Sequence, residues 1–423
     1  MQRIRQINKI IIAEVILLAV FMIVLVIRWE NNSVSGYQQD ESSVNENYIY
    51  EDLVDNETAI QAETLDNLSD GENMSGENGA DGENISEENM SEEENMSNEE
   101  TENQPQETPK NTKKEFIKWV DFDVSYKALS DAYQYDVDTY QKEVHISWID
   151  LLAILGAKYG GDFSRYKSKD MLRIADQLIN KETTLEEMTK DMKYYNYYKE
   201  VYTAVLGGLV GEFEVSVEQG EGASEPLWEK KYGLKGYLPI AKNFPFNDYD
   251  DFGVSRSYGY KRRHLGHDMM GQVGTPIIAM ESGYVEAIGW NQYGGWRLGI
   301  RSFDKKRYYY YAHLRKNFPY NLNLKEGSIV TAGQVIGYLG RTGYSKTENT
   351  NNIDTPHLHV GLQIIFDESQ KEGYGEIWVD CYNLIRFLYK NRSETIKNQE
   401  TKEWYAVKEI KDPLVEAYNS GPE

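Results

Sequence analysis

The chain has 423 residues and a formal net charge of −24, long enough for two modest domains with extensions. The charge is local: residues 31–109 hold 23 Asp and Glu and no Lys or Arg, while the rest carries 46 acidic against 45 basic side chains, which excludes a basic nucleic-acid footprint. The single cysteine, Cys381, excludes an intrachain disulfide, and its Trp-Val-Asp-Cys-Tyr setting fits a small buried apolar residue rather than a nucleophile.

Residues 1–9 carry Arg3, Arg5 and Lys9. An 18-residue apolar run, 10–27, follows and is broken only by Glu14. As a helix it spans about 27 Å, enough for a bilayer core. Only Arg28 follows it before the acidic run, so the positive-inside rule places 1–9 in the cytoplasm and the rest outside. No small-x-small cleavage site stands directly after Ile27, and the run is long for a signal core, which favours an uncleaved signal-anchor over a signal peptide.

Residues 31–114 repeat Gly-Glu-Asn and Glu-Asn-Met-Ser units. So polar a segment cannot bury enough surface to fold, and it reads as a disordered acidic linker. A flexible coil of its length has a mean span of about 50 Å.

Residues 115–213 read as a small all-α domain. Ser147 with Asp150, and Thr184 with Glu187, have capping spacing. Leu185, Met188, Met192, Tyr195, Tyr198, Tyr202 and Val205 form one helical stripe that Gly207 and Gly208 end. His145 reads as structural, and the domain is a candidate surface for a protein partner. Residues 214–245 read as a connector.

From 246 to 390 the pattern changes to an all-β domain. Short β-prone runs at 276–280, 284–288, 298–302, 307–312, 335–339 and 357–366 are punctuated by glycine, and a closing helix covers 383–389. Residues 391–423 read as a loose polar tail.

Five of the six histidines fall in this β-rich segment: His264, His267, His313, His357 and His359. His357 and His359 sit two apart in a strand, so both imidazoles share one face. His264 and Asp268 flank Gly266, where the following glycines and Pro276 indicate a turn entering a strand. Two histidines and one carboxylate leave a tetrahedral zinc position open, as a catalytic zinc site requires. His313 and whichever of His357 and His359 is not a ligand then supply a base and an oxyanion donor. Spacing alone leaves that choice open.

The ordered motifs His264-Leu-Gly-His-Asp268, Gly274-Thr-Pro, Ser282-Gly-Tyr-Val285, Tyr293-Gly-Gly295, Tyr311-Ala-His-Leu314, Gly327-Ser-Ile-Val330, Gly333-Gln-Val-Ile-Gly337, Gly340-Arg-Thr-Gly343 and His357-Leu-His-Val360 resemble LytM/lysostaphin-type zinc endopeptidases. The resemblance covers about a third of the chain. It implies a β-sheet groove with one Zn2+ at its floor and cleavage of peptide bonds in bacterial peptidoglycan. It assigns zinc to His264, Asp268 and His359, activation of water to His357, and polarisation of the scissile carbonyl to His313. Tyr258 is the candidate second oxyanion donor. Trp290, Asn291, Tyr293 and Trp296 are candidate groove residues.

Two features depart from the family pattern. His267 stands beside Asp268 in place of an apolar residue, and 347–354 is long enough to extend a groove wall. The resulting expectation is a membrane-anchored, extracytoplasmic wall hydrolase. The rivals are a membrane-anchored scaffold, as in sporulation channels, and an activator of another wall hydrolase. Relatives in those roles usually lack one or more of the five residues, and here all five are present.

Overall fold

The computed structural model describes residues 116–217, 226–258 and 260–421, which all belong to one compact unit. The expected anchor at 10–27 and linker at 31–114 lie outside the described residues. Among the described residues no helix is long and apolar enough to cross a membrane.

A helical region comes first: α1 (Tyr126–Thr139), α2 (Trp148–Tyr159), α3 (Ser168–Ile179), α4 (Leu185–Thr189) and α5 (Tyr195–Leu206). Ser147 opens α2 by accepting from the Ile149 N–H at 3.3 Å, and Gly160 closes it at φ 69°. Asp150 does not complete the expected capping pair. Its carboxylate instead reaches α5, where it accepts from Tyr195 OH at 2.6 Å and lies 2.8 Å from Lys199 Nζ. Thr184 does cap α4, accepting from the Glu187 N–H at 3.1 Å. The stripe from Leu185 to Val205 is two helices rather than one. The Thr189 hydroxyl donates to the Leu185 carbonyl at 2.8 Å, competing with the backbone ladder where α4 ends. His145 lies 3.0 Å from the Asp136 carboxylate in this region.

The strands β1 (Val210–Val217) and β2 (Leu227–Leu234) form a hairpin, with Val210 opposite Leu234 and Val217 opposite Leu227. The expected connector at 214–245 is thus partly strand. Then come β3 (Phe246–Asp248), β4 (Ser255–Tyr258), β5 (Tyr260–Arg263), β6 (His267–Gly271), β7 (Pro276–Ile278) and β8 (Gly283–Asn291). They are followed by β9 (Gly295–Ser302), β10 (Arg307–Ala312), β11 (Ile329–Val330), β12 (Val335–Tyr338), β13 (His357–Ile364) and β14 (Ile377–Val379). The main sheet runs β11-β8-β9-β10-β13-β6-β3, with β14 also paired to β13. The helix α6 (Tyr382–Leu388) follows β14.

The C-terminal segment is not a loose tail. It forms β15 (Thr395–Lys397), β16 (Trp404–Ala406), β17 (Ile410–Lys411) and α7 (Pro413–Ser420). Strand β17 pairs antiparallel with β1, and Asp412 lies buried 2.8 Å from Lys235 Nζ while capping α7. The segment has no apolar stripe because backbone pairing and a few contacts hold it, among them Ile410 and the buried Asp412.

The helical and β segments share one hydrophobic core. Val285, Leu298, Ile300, Tyr309, Tyr311, Leu358 and Val360 of the sheet cluster with Leu151, Leu152, Tyr202 and Val205 of the helices. Arg307 locks the joint. It is 1% exposed, pairs with Glu281 at 2.7 and 3.0 Å, and donates from Nη1 to the carbonyls of Thr203 and Ala204 at 3.2 and 2.8 Å. Those carbonyls belong to the last turn of α5, where helical partners run out and a cation is favoured. Gly208 passes so close that a Cβ there would lie 1.6 Å from Glu281 Oε1, so only glycine fits. Removing one partner of a buried ion pair is costly, so Glu281→Gln is expected to lower unfolding stability by about 3 kcal/mol, read by denaturant titration.

Candidate metal and catalytic site

The site is built on one face of the main sheet. In β13 the residues His357 and His359 alternate with Leu358 and Val360, which enter the core. The antiparallel register sets His359 opposite Asp268 and His357 opposite Met270. Directly opposed residues share a face, so Asp268 and both histidines look the same way. His264 stands on the turn before β6. Gly266 in that turn makes room, since a Cβ there would lie 2.5 Å from the His359 ring.

His264, Asp268 and His359 converge. His264 Nε2 lies 3.0 Å from Asp268 Oδ1 and 2.9 Å from His359 Nδ1, and His359 Nδ1 lies 2.9 Å from Asp268 Oδ1. The three atoms offer at most two protons for three close approaches. Two imidazole nitrogens and one carboxylate oxygen around one point are the donor set of a three-ligand zinc site with an open fourth position. His264 Nδ1 is 3.0 Å from the Asp251 carbonyl oxygen. A carbonyl only accepts, so Nδ1 carries a hydrogen, and once Nε2 loses its own proton its lone pair faces inward. This donor set fits a zinc ion.

Charges around the cluster are paired. Arg256 Nη2 bridges Asp251 Oδ2 at 2.6 Å and Asp268 Oδ2 at 3.1 Å. Burial opposes a charged His264, yet hydrogen bonds to Asp251 and Asp268 lift it to about 9. Burial also opposes a charged Asp268, but hydrogen bonds from His264 and His359 hold it far below the usual carboxylate range. Burial keeps His313 well below the usual imidazole value, and the neighbouring His357 and His359 push the same way.

The other two expected residues lie beside the cluster. His357 Nε2 is 3.8 Å from Asp268 Oδ1, and its Nδ1 is 2.8 Å from the Thr355 carbonyl. His313 follows β10 in the left-handed region at φ 62°, which turns its ring into the site. Its Nδ1 is 2.9 Å from the Thr342 carbonyl, and its ring centroid is 4.8 Å from that of His357. Both rings therefore carry hydrogen on Nδ1 and present Nε2 as an acceptor. The Tyr258 side chain lies outside the described residues.

A groove of 1020 Å³ opens over all five residues. Asn291 and Tyr293 line it, whereas Trp290 and Trp296 do not. The reason is strand alternation: Trp290 and Trp296 are a directly opposed pair one residue out of phase with Asn291, and Trp296 packs against the core. His267 also faces away, with Nε2 2.9 Å from Asp248 Oδ2. The long segment 347–354 gives Ile353 and Asp354 to the groove. Sequence reasoning missed Asp251, Arg256, Arg262 and Tyr344, which stand in loops or on the β4–β5 hairpin. Only the charges of Asp251, Arg256 and Arg262 near His264 pointed to part of this set.

With this geometry in hand, comparison with known proteins is decisive for the domain. Residues 262–372 match the model of Peptidase family M23. The chain carries an M23 peptidase domain. It is similar, at 34% identity over 168 residues, to the L-Ala–D-Glu endopeptidase of Bacillus subtilis, covering 40% of this chain and 47% of that protein. It is 39% identical over 97 residues to lysostaphin of Staphylococcus staphylolyticus, covering 23% of this chain and 18% of lysostaphin. The chain thus spans about half the length of the first relative and less of the second. The solved catalytic domain of lysostaphin from Staphylococcus simulans aligns at 30% identity and a TM-score of 0.26, over 33% of this chain and 92% of that one.

The M23 site holds a proton where a metal needs a lone pair. Hydrogen bonds to Asp251 and Asp268 are expected to keep that proton on His264 up to about pH 9 before a metal binds. Zinc titration near pH 7 is expected to release about one proton per site. Apparent affinity should climb with pH and level off above about 9. Calorimetry in buffers of different ionisation enthalpy reads both effects.

Proposed function

We propose that this chain is a zinc-dependent endopeptidase that hydrolyses peptide bonds in the stem peptides or cross-bridges of bacterial peptidoglycan. The observation that carries the reading is the convergence of His264, Asp268, His359, His313 and His357 in one groove of 1020 Å³. The M23 match and the endopeptidase names of the similar proteins support it.

His264, Asp268 and His359 would hold the ion. Bound there, zinc would supply Lewis-acid polarisation of the scissile carbonyl and a water of lowered pKa. The chain does the rest. His357, fixed through Nδ1 to Thr355, offers Nε2 to take the proton of the attacking water. It then passes that proton to the departing amine as the C–N bond breaks. His313, fixed to Thr342, points Nε2 at the same space. It donates to the carbonyl oxygen only once it carries a second proton, which its burial opposes until negative charge develops. Arg256 holds the second oxygen of Asp268 and keeps the first turned inward.

The proposed location is extracytoplasmic, anchored in the cell membrane. The apolar run 10–27, the preceding Arg3, Arg5 and Lys9, and the wholly acidic stretch beyond it support this placement. Because helical and β segments share a core, the span to express for assay is Thr108–Glu423 rather than the β-segment alone.

Zinc-loaded protein is expected to release new amino groups from purified peptidoglycan. His357→Ala and His313→Ala should each lower kcat by about 10²- to 10⁴-fold while retaining one zinc. Amine labelling, muropeptide masses and metal content are the readouts. Full zinc with no cleavage of several wall types would sink the hydrolase reading and favour a scaffold.

A further inference from the structure

The groove holds cations that no described carboxylate pairs with. Arg256 is engaged by Asp251 and Asp268, and Lys371 lies 2.8 Å from Glu286. Among the described residues, Arg262, Arg263 and Arg297 line the same groove with no carboxylate in ion-pair contact. The acidic lining groups do not quench them. Asp354 and Glu372 are exposed, and Glu376 accepts from Trp378 Nε1 at 2.7 Å.

Arg262 is the best fixed of the three. Its Nη2 donates to the Tyr344 hydroxyl. Its guanidinium carbon lies 5.1 Å from the Tyr344 ring centroid and 5.8 Å from that of Tyr293. Its Nη1 is buried with no hydrogen-bond partner among the described residues. A buried N–H of a cation left unmade is costly, so its acceptor is expected from what fills the groove. The position is close to the chemistry, because the Tyr344 ring centroid is 5.8 Å from that of His313. Arg297 adds a second charge on the groove floor, on the sheet face that also holds Tyr310 and Ala312. A guanidinium fork held in one plane matches a carboxylate better than a neutral carbonyl, since two N–H bonds and the charge are satisfied together.

We infer that Arg262, supported by Arg297, makes the groove selective for acidic peptides that carry a free carboxylate beside the scissile bond, over neutral peptides of glycine type. The inference rests on the hydrolase reading of the same site and specifies its substrate class. Arg262 binds the substrate carboxylate, and Tyr293 and Tyr344 hold the fork in place.

The test uses full-length, zinc-loaded His357→Ala protein, so that bound peptide stays intact. The probes are two acylated peptides, one containing L-Ala–D-Glu and the other the same peptide with the free carboxyl amidated. Calorimetry should show the acid binding about tenfold tighter, the scale of one charge-assisted fork. Adding Arg262→Gln should bring the ratio near one, and Arg262→Lys should restore part of it. A ratio near one with Arg262 intact, or a ratio unchanged by Arg262→Gln, overturns the inference. Wild-type protein run beside these separates the two readings. Discrimination in binding without hydrolysis of either peptide would sink the hydrolase, while hydrolysis of both at equal rates would sink the carboxylate reader.

Discussion

The site depends on one register. Strand β6 meets β13 so that Asp268 stands directly opposite His359. Side chains alternate along a strand, so a slip of one residue would send both β13 imidazoles into the core and bring Leu358 and Val360 out to the groove. The buried apolar face forbids that slip, because those residues pack with Leu298, Ile300 and Tyr311. Core packing therefore fixes the geometry of polar atoms on the opposite face. Gly266 completes the arrangement by leaving space for the His359 ring.

Buried charge is tolerated here because each group is answered. Asp268 has His264 and His359 on one oxygen and Arg256 on the other. On the far side of the sheet Arg307 meets Glu281 and the carbonyls at the end of α5. The first network surrounds the proposed metal position. The second ties a helical layer to the sheet that carries it. Arg262 differs: of the buried polar atoms without a partner among the described residues, its Nη1 is the one on a groove-lining residue, and that placement points to a ligand rather than to stability.

The layers explain why the β-segment is not an independent block. Its inner face is covered by the helical region through a common core, and the C-terminal segment closes back on the β1–β2 hairpin through β17 and the Lys235–Asp412 pair. The groove face stays open because its residues are polar, aromatic or small: Tyr308, Tyr310 and Ala312 from β10, and Arg297 and Gly299 from β9.

Much of this was legible in the sequence. The run 307–312 is strand as expected, and the change from helical to β pattern and the clustering of five histidines are local, periodic signals. Less legible were the hairpin at β1–β2, the break between α4 and α5, and the ordered C-terminal segment. The hairpin and the C-terminal segment rest on strand pairing, as Val215 with Ile410, and leave no stripe, while the α4–α5 break comes from the Thr189 hydroxyl competing with the backbone inside a continuous stripe. The sequence by itself determined which residues could bind a metal or move a proton. The tertiary structure decided which atoms meet. It brought His359 rather than His357 to His264 and Asp268, turned Trp290 and Trp296 away from the groove, and set Arg262 within it. The reason is physical: residue type and spacing are local properties, whereas convergence is set by register and core packing between segments up to 95 positions apart.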